Sequence, residues 1–215
     1  MNKLVNFWNL ISFDYAGDFS KPAGNFSQTG GHSSKFTGHQ ANLYPSATTD
    51  STPLNTDQVV HYLTKTAGVD SKKLILGIPL YGRGFADTDG LGKPFNGGGD
   101  GSLYSGIWDY KALPPAESNP IFFDDTAKAS YSHDPNRRLF ISLQDRKATE
   151  AMGLYAQDKM LGGAWWYDIN ADKSADDSLV NQFAQTVGGT LALDESRGQI
   201  DFPQSNYTNI RGIMG

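Results

Sequence analysis

Three apolar, strand-like segments, FWNLISFDYAG (7–17), KLILGIPLYGRGF (73–85) and MLGGAWWYDINADK (160–173), each run out into charged or aromatic residues. A strand buried on both faces of a parallel sheet reads as a short continuous apolar run. In α/β barrels and open α/β sheets, ligands meet the carboxyl ends of such strands. Here those ends carry Asp14 and Tyr15, Tyr81 and Arg83, then Trp166, Tyr167 and Asp168. One acid, one arginine and several flat rings converging on one face are the residue types that grip a sugar. The acid and arginine hydrogen-bond hydroxyl and amide groups, and the rings stack on pyranose C–H faces.

The rest of the composition narrows the class. At 215 residues the chain is long enough to bury a sizeable core. Net charge is −5, with Lys and Arg scattered singly and no basic stripe, which argues against a nucleic-acid partner. The absence of cysteine removes disulfides, thiolate catalysis and zinc–thiolate sites. No apolar run approaches the roughly 20 residues that span a bilayer, so no membrane partner is expected. The opening MNKLVNFWNL is too short and too mixed to read as a signal peptide. His32, His39, His61 and His133 show no metal-ligand spacing, and no metal or cofactor is expected.

Along the chain, a first strand running to about Phe13 is followed by a long polar loop over 18–53. A helix is expected from about Asn55, with Gln58 at the capping-box position, Val59, Leu63 and Ala67 on one face, and Gly68 as its stop. The second strand, 74–80, follows directly, a strand–helix–strand unit for a parallel sheet. From 86 to 157, glycine clusters, Pro114 and Pro115, and short apolar segments at 106–110, 120–123 and 139–143 predict a small antiparallel α+β insertion. A helix over 148–160 returns the chain to a strand at 163–167, and a last helix spans 176–187, with Asp176 and Asp177 complementing its dipole. The paired acids Asp124 and Asp125 read as a turn, and Asp172 as a turn or cap residue. From local sequence alone, Asp14 reads equally as a turn acid; Arg83 could pair with a carboxylate, although a charged group at a strand's carboxyl end more often serves a ligand.

LGIPLYGRGF, GIWDYKALP (106–114), LGGAWWYDINADK and the tail FPQSNYTNIRGIMG (202–215) together resemble glycoside hydrolase family 18 chitinases of the fungal and bacterial type. The resemblance covers essentially the whole chain. It implies an α/β fold holding the last three strands of a (β/α)8 TIM barrel, with an inserted α+β chitin insertion domain. On that reading, residues 1–85 hold strands six and seven, 86–157 the insertion domain, and 158–215 the last strand, its helix and the tail. The implied ligand is chitin or a chito-oligosaccharide, and the implied location is extracellular. The implied sugar-contacting positions are Phe13, Asp14, Tyr15, Tyr81, Arg83, Trp166 and Tyr167.

The same resemblance exposes what is missing. A whole barrel has eight strands and typically about 250 residues. The family's acidic signature, Asp-x-x-Asp-x-Asp-x-Glu, has no match between Met1 and Gly215. In the family its Glu is the general acid, and the substrate's own acetamido group serves as nucleophile. No catalytic residue is therefore assigned, and hydrolysis is expected only if a complementary N-terminal barrel half supplies the acid. Phe13 stands where the family has a Tyr that donates to the acetamido oxygen. Losing such a donor costs on the order of 3 kcal/mol, two to three decades in rate. Tyr167 stands where the family has a floor Trp, and Trp166 one residue away leaves the register open. A non-catalytic, lectin-like chitin-binding protein and a truncated product with exposed sheet edges are the other readings.

Overall fold

The computed structural model describes residues 2–19, 35–46, 52, 54–116, 119–196, 202–208 and 211. Two sheets carry the architecture. Strands β1 (Trp8–Leu10), β2 (Leu74–Pro79) and β8 (Gly163–Tyr167) form a parallel sheet in the order β1-β2-β8. Strands β3 (Tyr81–Phe85), β4 (Ile107–Asp109), β5 (Ile121–Asp124), β6 (Ala129–Asp134) and β7 (Leu139–Leu143) form an antiparallel sheet in the order β4-β3-β7-β6-β5. Among the described residues three α-helices accompany them: α1 (Thr56–His61), α2 (Arg146–Asp158) and α3 (Leu179–Thr186). The chain passes from one sheet to the other at Leu80, so Tyr81–Phe85, read above as the tail of the second apolar segment, is a strand of its own.

The parallel sheet forms because β2 is apolar on both faces, and alternation divides its side chains. Leu74, Leu76 and Ile78 are fully buried in one core with Val60 of α1, Met152 and Tyr155 of α2 and Phe183 of α3. Each such aliphatic side chain contributes about 1.5–3 kcal/mol by leaving water. The opposite face carries Gly77, which pairs with Trp165 of β8. A Cβ on Gly77 would stand 2.4 Å from the Leu10 carbonyl oxygen and 2.8 Å from Cε1 of Phe13, so only glycine lets those groups close over the central strand. β1 is short, and Ser12 continues its pairing by side chain: its hydroxyl donates to the Gly77 carbonyl at 2.8 Å and accepts the Gly77 N–H at 2.9 Å.

Helix ends follow local chemistry. The Asn55 side chain accepts the Gln58 N–H and starts α1. The helix then widens to a π-turn over Tyr62–Thr66 and stops at Gly68, whose φ is +66°. Leu63 packs against the core as expected. Val60 and Val69 are buried, whereas Ala67 is exposed. Asp145 caps α2 by accepting the Ala148 N–H. The last helix begins later than expected. Asp176 and Asp177 lie in a separate 3-10 turn, Ser178 is the N-cap, and Asp172 accepts the N–H groups of Leu179 (3.0 Å) and Val180 (3.4 Å). Asp172 is thus the capping acid, as its position after the strand suggests.

The stretch expected to be a polar loop behaves differently where it is described. Thr37, His39, Gln40, Ala41, Asn42 and Leu43 are buried, and their polar groups bond to the antiparallel sheet and to the start of α1. The remainder of that loop, with His32, lies outside the described residues, as does part of the tail. Strand β6 adds to the expected segments: in ASYSHD, Ala129, Ser130 and Ser132 are buried, and Tyr131, His133 and Asp134 half-buried, between β5 and β7.

Candidate functional site

Asp14 sits four residues past β1, with its backbone in the left-handed region at φ +64°. A residue with a Cβ occupies that region only where its surroundings hold it there. Its carboxylate faces the start of β3. Oδ1 accepts a hydrogen bond from the Tyr81 hydroxyl and another from Nε of Arg83 at 2.6 Å; Oδ2 accepts from Nη2 of Arg83 at 2.7 Å. The guanidinium fork meets both carboxylate oxygens, the geometry that distinguishes Arg from Lys. The pair is largely removed from water, with the Arg83 side chain 14% and the Asp14 side chain 17% exposed. Arg83 also lies 4.7 Å over the Phe19 ring and 5.6 Å from the Tyr81 ring centre.

A wall of rings adjoins this ion pair. Phe13 packs edge-on to Tyr81 at 6.1 Å, is stacked against Tyr167 at 6.3 Å, and is tilted towards Trp165 at 5.6 Å. Trp165 donates its indole N–H to the Leu10 carbonyl at 2.8 Å, so its polar tip is satisfied inside the sheet. The carboxyl ends of β1, β2 and β8 therefore bring Phe13, Asp14, Tyr81, Arg83 and Tyr167 together. Arg83 does pair with a carboxylate, and that carboxylate is Asp14.

Two of the residues named from sequence do not join them. Tyr15 is buried and its hydroxyl lies 3.2 Å from Oγ1 of Thr56 at the start of α1. Trp166 points to the opposite side of β8 from Trp165 and Tyr167 and packs edge-on to Phe183 of α3 at 5.8 Å. Strand alternation is the cause in β8, and it makes Tyr167 the ring that shares a face with Phe13. Tyr104, unnoticed in sequence, lies near enough that its charge, with those of Asp168 and Asp14, acts on the Tyr167 phenol. Burial is the larger influence, and all four raise that phenol's pKa. Nothing in local periodicity marks Tyr104, because a loop residue is placed by the tertiary fold.

Burial, and then the neighbouring Asp14 charge, push the Tyr81 phenol well above its ordinary range, which keeps it a donor. Burial, the largest single influence, works to lower the Arg83 pKa, but the hydrogen bonds and charges of Asp14 and Tyr81 together outweigh it and the net shift is upward. The Asp14 carboxylate accepts all three hydrogen bonds of the clamp. Among the described residues no group of His, Asp or Glu is placed to hold a metal ion.

The buried phenols make the fold sensitive to alkali. Tyr15 is pushed up to about 12 by burial, from an ordinary value near 10. A folded pKa above the unfolded one gives stability that is complete below pH ~10 and lost as pH climbs through the folded value. Tyr15 alone therefore removes about 3 kcal/mol between pH ~10 and ~12, and Tyr81 adds to the loss. Far-ultraviolet circular dichroism and tyrosinate absorbance, followed together, should show one cooperative alkaline transition in that window. Smooth phenol ionisation at intact ellipticity would contradict it.

The pattern of the family described as Glycosyl hydrolases family 18 matches residues 1–172. The chain belongs to that family. Chitinase 1 of Aphanocladium album is 37% identical over 215 residues, covering all of this chain and 46% of that protein. Endochitinase 1 of Metarhizium robertsii is 35% identical over 215 residues, again all of this chain and 46% of that protein. The family 18 chain thus spans about half the length of these relatives. A plant class V chitinase mutant from Cycas revoluta, solved in complex with (GlcNAc)3, superposes with a TM-score of 0.68 at 21% identity, over 87% of this chain and 48% of that one. The last likeness is one of fold.

Proposed function

We propose that this family 18 chain forms one side of a chitin-binding cleft, with β1, β2 and β8 as strands six, seven and eight of a (β/α)8 barrel. The observation that carries the reading is the Asp14 carboxylate clamped by Tyr81 and Arg83 beside the Tyr167 ring, at the carboxyl ends of parallel strands. On this reading residues 86–157 are the insertion domain that walls the cleft. The flanks of the parallel sheet support it. β2 is almost wholly buried, whereas every residue of β8 is only half-buried, and Phe7, Ile11 and Ile169 are 58%, 50% and 65% exposed. A parallel sheet is ordinarily covered on both faces and paired at its edges, so further strands would continue this one on both sides.

The ligand class is chitin or a chito-oligosaccharide, met outside the cell. The chain grips the polymer and contributes to β-1,4 hydrolysis only beside a barrel half carrying the acidic signature, because no Asp-x-x-Asp-x-Asp-x-Glu occurs in its 215 residues. Calorimetric titration of (GlcNAc)4 into this chain should give saturable binding, about tenfold weaker after Tyr167→Leu, the loss of roughly 1.4 kcal/mol of ring stacking. Equal heats for parent and variant, or none for either, would remove the cleft. Phe13 favours a second reading, a non-catalytic chitin-binding protein, since a ring without a hydroxyl stands where the family places a donor.

A further inference from the structure

The buried polar segment after β1 has a feature that the sugar site does not explain. Gln40 is fully buried, and every hydrogen bond recorded for it runs to residues that carry or flank the clamp. Its carbonyl accepts the N–H of Tyr15, the residue next to Asp14, at 2.9 Å. Its side-chain Nε2 donates to the carbonyl of Tyr81 at 2.7 Å and to that of Ser142 at 3.2 Å. Its own N–H donates to the Ser142 hydroxyl at 2.9 Å, and Ser142 is the cross-strand partner of Arg83. Three chain segments far apart in sequence are thus joined through one side chain and its backbone.

We propose that Gln40 is the positioning residue of the Asp14–Tyr81–Arg83 clamp, setting the distance between the turn that holds Asp14 and the strand that holds its two donors. It touches none of the three side chains. It fixes the backbone on which each is mounted. The Asp14 turn, at φ +64°, is the part that most needs this, since such a conformation persists only when neighbouring groups over-determine it. The segment bearing Gln40 is itself anchored. The fully buried His39 ring bonds the Asp124 carboxylate at 3.1 Å, and Asp124 also accepts from Ser46 at 2.9 Å. That anchor holds residues 39–46 against the β5–β6 turn and leaves Gln40 little room to retreat.

The assignment of a positioning role, as against a purely structural one, rests on the clamp being a ligand site, so the test reads the clamp first without sugar. The Arg83 Nε–H, bonded to Asp14, is observed by proton–nitrogen NMR and identified by its loss in Arg83→Lys. In Gln40→Leu its hydrogen exchange should quicken about tenfold or more, with weaker (GlcNAc)4 binding. Asn42→Leu is the control, because Asn42 holds Tyr44 and Leu54 carbonyls in the same segment and no part of the clamp. It should lower the melting temperature comparably and leave the Arg83 signal unchanged. Equal Arg83 protection in both variants would overturn the proposal. Quickened exchange with unaltered sugar binding would keep the bracket and discard the cleft. Should Gln40→Leu not fold, exchange in the parent decides: Tyr15 N–H and Arg83 Nε–H should open together. Arg83 opening while Tyr15 stays protected would overturn the proposal.

Discussion

Replacing Arg83 with methionine is expected to cost about 3–5 kcal/mol, a large share of the roughly 5–15 kcal/mol that holds a domain together. The reason is asymmetry. With the guanidinium gone, the Asp14 carboxyl is left without its ionic partner in a site where its side chain is only 17% exposed, with the Tyr81 hydroxyl as its remaining donor in the clamp. Breaking a buried pair is costly because the survivor is uncompensated, whereas removing both charges is often neutral. Arg83→Met combined with Asp14→Leu should therefore be more stable than Arg83→Met alone, although two groups have been lost. Urea unfolding of the parent, both single variants and the double variant measures this coupling. A coupling below about 0.5 kcal/mol would mean that the two residues act independently and that the clamp is a surface contact.

What made this clamp hard to read from sequence is distance along the chain. The strand ends were expected to converge, but Asp14 lies 67 residues from Tyr81 and 69 from Arg83, and nothing within either segment reveals that they bond to one another. The strand ends were legible, because parallel strands advertise themselves as apolar runs. The strand at 163–167 and the N-caps Asn55 and Asp145 are set by local chemistry, and β8 occupies the expected residues. The direction of a side chain at such an end was less so. Tyr15 follows Asp14 directly, but the left-handed turn at Asp14 sends it inward to Thr56. Trp166 follows from alternation once the register of β8 against β2 is fixed, as Gly77 opposite Trp165 fixes it. The buried segment over 37–43 was invisible for another reason. Polar residues such as Gln40 and Asn42 read as solvated until the carbonyls they satisfy are known, and those belong to other elements. β6 was missed because two serines and a histidine outweighed its alternation, and its burial comes from the strands on either side.

Turnover should appear only on adding a barrel half that bears the acidic signature, and Phe13→Tyr should then raise kcat by about two to three decades with little change in KM. The two halves of this expectation have separate causes. Protonation of the leaving oxygen needs a carboxylic acid beside the scissile bond, and the acid read from the clamp, Asp14, is committed to Tyr81 and Arg83. The family signature whose Glu performs that step is absent from residues 1–215. This chain alone should release no fluorophore from a fluorogenic chitobioside, with tyrosine or phenylalanine at position 13. Phe13 is 7% exposed and lies among Tyr81, Trp165 and Tyr167, so it already stands in the ring wall. A hydroxyl there adds a donor at the edge of the site, and a donor used only as charge develops on the acetamido oxygen lowers the barrier without tightening ground-state binding. Equal kcat for both residues in the mixed halves would show that the donor has no partner in the transition state. Hydrolysis by the unsupplemented chain would show that some other carboxyl performs the protonation, and the binding-only role assigned to Asp14 would fall with it.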